Sequence, residues 1–191
     1  MITEPTFAIP LFAVLYWIVL AATMIVAAVL AALSWHRSGR AFVYGAGGAL
    51  ALALLLAATP TAGIDAGFFM HALISVLALA TAVLGGGPAA AHVLALASNG
   101  NIKDGDNGGI LRDGEEVLRG GTTIGLLERL AVAGTLLAGF PEGIAVIVAV
   151  KGVGRFSELA DSATRERFII GSLVSFIWAC AATGVALLAR G

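Results

Sequence analysis

Residues 120–158 read GGTTIGLLERLAVAGTLLAGFPEGIAVIVAVKGVGRFSE, and this stretch decides the fold. It contains two apolar runs of helical length, separated by the turn-forming sequence Phe-Pro-Glu-Gly at positions 140–143. A hairpin centred on this turn places Glu128 of the first run level with Arg155 of the second. The stretch therefore predicts two helices that fold back on each other, with an acid held against a base.

The composition predicts that the rest of the chain also consists of membrane helices. Of its 191 residues, 59% are hydrophobic and 12% are charged, and the formal net charge is -1. Soluble domains carry about a quarter charged residues. We therefore expect one integral membrane domain over residues 1–191, with the lipid bilayer as its partner. The net charge excludes the basic face that nucleic-acid binding requires.

Six hydrophobic segments predict an all-α fold, a polytopic transmembrane helix bundle. The segments cover residues 11–33, 41–58, 66–84, 122–140, 143–156 and 168–189. The fifth segment is short, because about 14 residues make only about 21 Å of helix. It therefore crosses a thinned bilayer, is shielded by protein, or re-enters without crossing.

The third segment is expected to break at the Gly-Gly-Gly-Pro sequence of positions 85–88, because proline removes a helical hydrogen bond. A kinked extension then reaches residue 97 or lies at the membrane surface. Residues 98–121 are rich in Gly, Asn and Asp and predict an exposed cytoplasmic loop, and residues 158–167 predict a charged connector. The first segment carries candidate interfacial anchors near its ends: Tyr16, Trp17 and Trp35.

The distribution of basic residues predicts the orientation in the membrane. The connections at 34–40, 98–121 and 151–167 hold two, three and four Lys or Arg residues, whereas the connection at 59–65 holds none. We therefore expect a multi-pass protein of the cell (inner) membrane with its N-terminus outside and its basic loops inside. The C-terminus also lies outside if all six segments cross, and inside if the fifth only re-enters.

Small residues recur at every fourth position of three segments, which favours close helix packing in a membrane. This pattern predicts either packing within one bundle or an interface with a second copy or a partner subunit, and the two can coexist. The positions are Gly45, Ala49, Ala53 and Ala57 in the second segment, Ala131, Thr135 and Gly139 in the fourth, and Gly171, Ser175, Ala179 and Thr183 in the sixth.

Four ionisable residues of the hairpin are the candidate functional residues: Glu128, Arg129, Lys151 and Arg155. Lys151 and Arg155 are four residues apart and share a helix face, so an acidic partner is expected, and Glu128 is the nearest candidate. Charges at membrane depth are usually paired or functional. Three alternatives follow: an ion pair that locks the hairpin, a site for a substrate or ion, and a site for anionic lipid headgroups.

The polar loop contains a partial calcium-binding pattern. Asp104, Asp106 and Glu115 occupy positions 1, 3 and 12 of a calcium loop, but Gly108 stands at position 5, where an oxygen ligand is expected. A glycine- and aspartate-rich turn accounts better for the pattern, so we expect no metal. The chain has no catalytic motif of hydrolases or nucleotide-binding enzymes, and we expect neither an enzyme nor a cofactor.

The hairpin and the last segment resemble a family of bacterial integral membrane proteins of unknown function. The similar motifs are GGTTIGLLER at residues 120–129, KGVGRF at 151–156 and IGSLVS at 170–175. The sequence departs from the family pattern in the glycines after Lys151, where a better helix former is expected. The resemblance implies that the four ionisable residues of the hairpin belong to one unit, and it implies no activity.

Two functions follow as expectations. The first is a non-catalytic membrane subunit, structural or accessory, which packs with copies of itself or with a membrane partner. The alternative is a small transporter or channel in which Glu128, Lys151 and Arg155 handle an ion, a proton or an anion. A transporter needs a water-filled path to Glu128, whereas a structural subunit buries this residue against Arg155 with no pore.

Overall fold

The computed structural model describes residues 8–36, 40–59, 67–97, 103–104, 110–112, 115–118, 121–154, 156 and 162–190. Within these residues the chain forms six helices and three very short strands. The helices are α1 (Ala8–His36), α2 (Arg40–Ala57), α3 (Gly67–Ala97), α4 (Gly121–Leu137), α5 (Gly143–Gly154) and α6 (Ser162–Leu188). The predicted all-α class is confirmed.

Contacts near the helix ends give the direction of each long helix. The Tyr16 hydroxyl, near the start of α1, donates to the carbonyl of Leu56, near the end of α2, at 3.0 Å, so α1 and α2 are antiparallel. The Trp17 ring of α1 lies against His71, near the start of α3, with 5.3 Å between ring centroids. Because the indole of Trp35 reaches Leu84 further along α3, α1 and α3 run in the same direction.

Helices α3 and α6 form the most extensive helix pair of the bundle, and they are antiparallel. Arg190, just beyond the end of α6, donates to the hydroxyl of Ser75 in the first half of α3 at 2.8 Å. At the opposite end, Leu94 of α3 lies beside Gly171 of α6. The start of α1 and the end of α6 therefore lie at the same end of the bundle.

Four helices, α1, α2, α3 and α6, are long and apolar enough to cross a membrane. They expose large apolar side chains such as Phe12, Leu55 and Ile177, as expected of surfaces that contact lipid. Helix α4 has 17 residues and α5 has 12. A 12-residue helix is about 18 Å long, so α5 alone is too short for a bilayer core of about 30 Å.

The predicted hairpin is present, and a specific helix end produces its turn. Gly139, with φ of 74°, follows α4 in the left-handed conformation that glycine adopts without strain. The N–H of Phe140 donates to the carbonyl of Thr135, and that of Gly139 to Leu136, which is the Schellman pattern. Helix α5 then starts at Gly143, where a β-carbon would come within 2.7 Å of the Thr135 side chain. Because Gly143 has no side chain, the start of α5 can pack closely against Thr135 of α4.

The predicted extension of the third segment to residue 97 is confirmed, but one helix includes it. Helix α3 is continuous from Gly67 to Ala97, so the segment does not end at positions 85–88. Side chains of other helices support the backbone there, as described below. Helix α6 begins at Ser162, six residues before the predicted start at Phe168, because Ala, Arg and Glu in residues 162–167 are good helix formers.

The predicted polar loop contains three short antiparallel strands rather than irregular structure alone. They are β1 (Lys103–Asp104), β2 (Ile110–Arg112) and β3 (Glu115–Leu118), in the order β1-β2-β3. The register pairs Asp104 with Ile110 and Arg112 with Glu115.

The small-residue patterns of α2 and α6 serve packing inside the bundle. Ala53 and Ala57 of α2 and Ala179 and Thr183 of α6 are buried, and all three alanines belong to the central core. On α4 the pattern is used differently, because Ala131 and Gly139 are exposed while Thr135 faces the start of α5. Packing within the bundle thus accounts for two of the three patterns.

Candidate functional site

The carboxylate of Glu128 pairs with the ammonium group of Lys151 across the α4–α5 hairpin. Both side chains are largely buried, with 10% and 14% of their side-chain surface exposed. Arg155 lies outside the described residues, so its predicted pairing with Glu128 stays a prediction. The hairpin brings an acid and a base together as expected, and Lys151 is the base that the structure describes.

Two aromatic rings of α6 complete the surroundings of the Lys151 ammonium group. Its Nζ lies 5.4 Å from the ring centroid of Phe168 and 5.3 Å from that of Phe176, over both rings. Phe168 and Phe176 are eight residues apart and face the same side of α6. The negative faces of the rings stabilise the cation in addition to the carboxylate. Lys151 thereby ties α5 to α4 and α6 at once.

Arg129 follows Glu128 in the sequence but contacts different helices. Its Nε donates to the carbonyl of Val83 in α3 at 2.8 Å, and its Nη1 donates to the hydroxyl of Ser175 in α6 at 3.2 Å. Only 3% of Arg129 is exposed. The adjacent residues Glu128 and Arg129 therefore divide between α5 on one side and the α3–α6 pair on the other.

Glycines provide the space for the Arg129 side chain. A β-carbon on Gly86 would overlap the Arg129 Cδ, one on Gly87 would lie 3.3 Å from Nη2, and one on Gly125 would lie 2.9 Å from Nη1. Gly85 has the same role for Trp178 of α6, because a β-carbon there would overlap the indole. The Gly-Gly-Gly sequence is therefore a docking surface for side chains of neighbouring helices.

Two tryptophans donate to the same turn of α3. Trp178 Nε1 of α6 donates to the carbonyl of Thr81 at 2.9 Å, and Trp35 Nε1 of α1 donates to that of Leu84 at 2.7 Å. In an α-helix the carbonyl of residue 84 accepts from the N–H of residue 88, which is Pro88 here and has none. The indole of Trp35 satisfies the carbonyl that the proline leaves without a backbone donor.

The partial calcium pattern receives no support. Asp104 lies in β1 and Glu115 in β3, so the backbone is extended at both positions, whereas a calcium loop of this kind connects two helices. Asp106 lies outside the described residues. Among the described residues no group of three or more His, Cys, Asp or Glu side chains could hold a metal ion.

Sequence reasoning missed the roles of three residues and one motif. Trp35, predicted to be a lipid-interface anchor, also donates a hydrogen bond to α3, and Trp17 is buried within the bundle. Trp178 carried no prediction, although it donates to α3. A Gly-Gly-Gly-Pro sequence inside an apolar segment was the available signal. Proline in a membrane helix leaves one backbone carbonyl without its usual N–H donor, so another part of the protein must supply a hydrogen bond to it.

The arrangement links helices and presents no reactive pair among the described residues. Glu128, Lys151 and Arg129 each have partners within the bundle. The implied family relationship also stays a prediction. Comparisons of the chain with protein-family models, curated proteins and solved structures find no match.

Proposed function

We propose that this chain is a non-catalytic, multi-pass protein of the bacterial inner membrane that acts as a structural or accessory subunit and associates with copies of itself. The proposal rests on the observation that Glu128, Lys151 and Arg129 bind partners within the bundle. Glu128 pairs with Lys151, and Arg129 binds Val83 and Ser175, so these charges join four helices. Charges used in this way stabilise a scaffold.

The outward face of α4 is the surface that we assign to self-association. Ala131 and Gly134 are exposed on this face, and a β-carbon on Gly134 would meet nothing within 4 Å. Leu127 and Leu130 flank them and are also exposed. Small residues between larger apolar ones allow two membrane helices to approach closely. The comparable patterns of α2 and α6 are occupied inside the bundle.

Disulfide crosslinking in the native membrane tests this surface. The only cysteine, Cys180, is exposed, so it is first replaced by serine. In that background Ala131→Cys should give crosslinked dimers after mild oxidation, because two copies of α4 bring the thiols within disulfide distance. Ala51→Cys, which is exposed on α2, is the matched control and should stay monomeric. Equal crosslinking of both variants would reflect random collision and would contradict the proposed interface.

The exposed turn between α4 and α5 supports six crossings and the predicted orientation. Glu142 is exposed at the α4–α5 turn, and a carboxylate facing hydrocarbon would be costly. We therefore assign this turn to the aqueous surface, with α4 and α5 crossing as a pair. The start of α1 and the end of α6 share one end of the bundle, which fits an even number of crossings. Arg40, Arg165 and Arg167 lie at the other end, which we assign to the cytoplasm, whereas Arg190 is a base at the outer end.

The alternative, a small transporter or channel, has one observation in its favour. The Glu128–Lys151 pair lies within the membrane region but keeps 10% and 14% of its side-chain surface exposed. A proton or anion pathway would use this exposure. For a transporter, Glu128→Gln should abolish flux in proteoliposomes and leave unfolding unchanged. For a structural subunit, the same substitution should lower the free energy of unfolding, with no flux in either protein.

A further inference from the structure

Helix α3 contains a segment whose sequence favours bending. Positions 85–88 combine three glycines with Pro88 inside an otherwise apolar helix of 31 residues. Kinks in helices occur mainly at proline and at clusters of small, flexible residues. One backbone hydrogen bond is missing from this segment, because the carbonyl of Leu84 has no backbone donor at residue 88.

Three other helices supply donors to the turn of α3 that immediately precedes this segment. Trp35 of α1 donates to Leu84, Arg129 of α4 to Val83 and Trp178 of α6 to Thr81. The carbonyls of Thr81 and Val83 face the N–H groups of residues 85 and 87 along the helix, whereas that of Leu84 faces Pro88. The bond from Trp35 is therefore the one that replaces a missing backbone bond.

We infer that positions 85–88 form a hinge in α3, and that the hydrogen bond from Trp35 to Leu84 holds this hinge closed. When the bond breaks, residues 89–97 bend relative to the first part of α3. This C-terminal section of α3 carries His92, in edge-to-face contact with Tyr44 of α2, and Leu94, packed on Gly171 of α6. Bending changes both contacts, so the hinge couples α1 to the packing of α2 and α6 at this end of the bundle.

Hydrogen exchange of the full-length protein in lipid nanodiscs, read by mass spectrometry, tests the hinge. Trp35→Phe keeps an aromatic ring but removes the indole N–H. We expect peptides that cover residues 85–92 to exchange roughly tenfold faster, because opening exposes the unsatisfied carbonyl and its neighbouring amides. Peptides from the first part of α3, residues 67–80, should keep the wild-type rate.

Two further variants separate the hydrogen bond from ring packing. Trp17→Phe is the matched control, because the Trp17 indole N–H is buried without an acceptor in the described structure. It should leave exchange at residues 85–92 unchanged. Pro88→Ala restores an N–H opposite Leu84, so adding Trp35→Phe to Pro88→Ala should cause no further acceleration.

Three outcomes would overturn the hinge. Unchanged exchange in Trp35→Phe would mean that the indole bond does not hold α3. A rise spread evenly over α3 would indicate general destabilisation instead of bending at one place. If Trp35→Phe accelerates exchange equally with and without Pro88→Ala, the effect comes from ring packing and not from the hydrogen bond to Leu84.

Discussion

Gly86 of α3 and Arg129 of α4 lie so close that a β-carbon on the glycine would overlap the Cδ of the arginine. The absence of a side chain at Gly86 allows the arginine stem to pass between α3 and α6 and to reach the carbonyl of Val83. Because Arg129 is almost fully buried, it has no solvent-exposed position to move to without loss of these bonds. The contact therefore fixes how α4 sits on the rest of the bundle.

Gly86→Ala should lower the free energy of unfolding by about 1–3 kcal/mol, because the added methyl group displaces a buried, hydrogen-bonded arginine. Reversible unfolding in mixed micelles, followed by tryptophan fluorescence, measures this effect. Gly48→Ala on α2 is the matched control, since a β-carbon at Gly48 meets nothing within 4 Å. The control should be neutral or raise stability by up to about 1 kcal/mol. Equal effects of the two substitutions would show that Gly86 is not a close-contact position.

Arg129→Lys should lower the free energy of unfolding by about 1–3 kcal/mol, although it keeps the charge. A lysine ammonium group does not reproduce the guanidinium fork that binds the Val83 carbonyl and the Ser175 hydroxyl together. The same unfolding measurement applies, with Arg165→Lys as the control, because Arg165 is exposed at the start of α6. If Arg129→Lys changes the free energy of unfolding no more than Arg165→Lys does, the proposed role of the guanidinium fork is wrong.

Labelling of single cysteines in intact cells tests the crossing of the α4–α5 hairpin. In a Cys180→Ser background, Glu142→Cys should react with a membrane-impermeant maleimide added from outside, because the turn lies at the outer surface. Glu166→Cys, exposed near the start of α6, should react only after the membrane is permeabilised. If position 142 is also protected until permeabilisation, the hairpin re-enters from the cytoplasmic side and the six-crossing topology is wrong.

The local features of the hairpin could be predicted from the sequence, because turn chemistry depends on neighbouring residues. The turn at positions 140–143 is present, and Glu128 faces a base of α5. The base that the structure describes there is Lys151. The predicted partner, Arg155, lies outside the described residues, so its pairing with Glu128 stays a prediction.

The contacts made by α3 could not be predicted, because they join residues far apart in the sequence. A Gly-Gly-Gly-Pro sequence favours a break in an isolated helix, whereas here Trp35, Arg129 and Trp178 from three other helices donate to the turn of α3 that precedes it. Their positions depend on how α1, α4 and α6 pack. For the same reason the sequence grouped Arg129 with Glu128, whereas the two residues contact different helices.

A double-mutant cycle on Glu128 and Lys151 tests most directly whether the charged residues of the hairpin are structural. The free energy of unfolding is measured for wild type, Glu128→Gln, Lys151→Met and the double variant in the same lipid-detergent mixture. Each single substitution leaves a largely buried charge without its partner and should cost about 1–3 kcal/mol, whereas the double variant should be no less stable than either single one. Additive or negligible effects would contradict the structural account, because they would mean that Glu128 and Lys151 serve water, an ion or a ligand instead of each other.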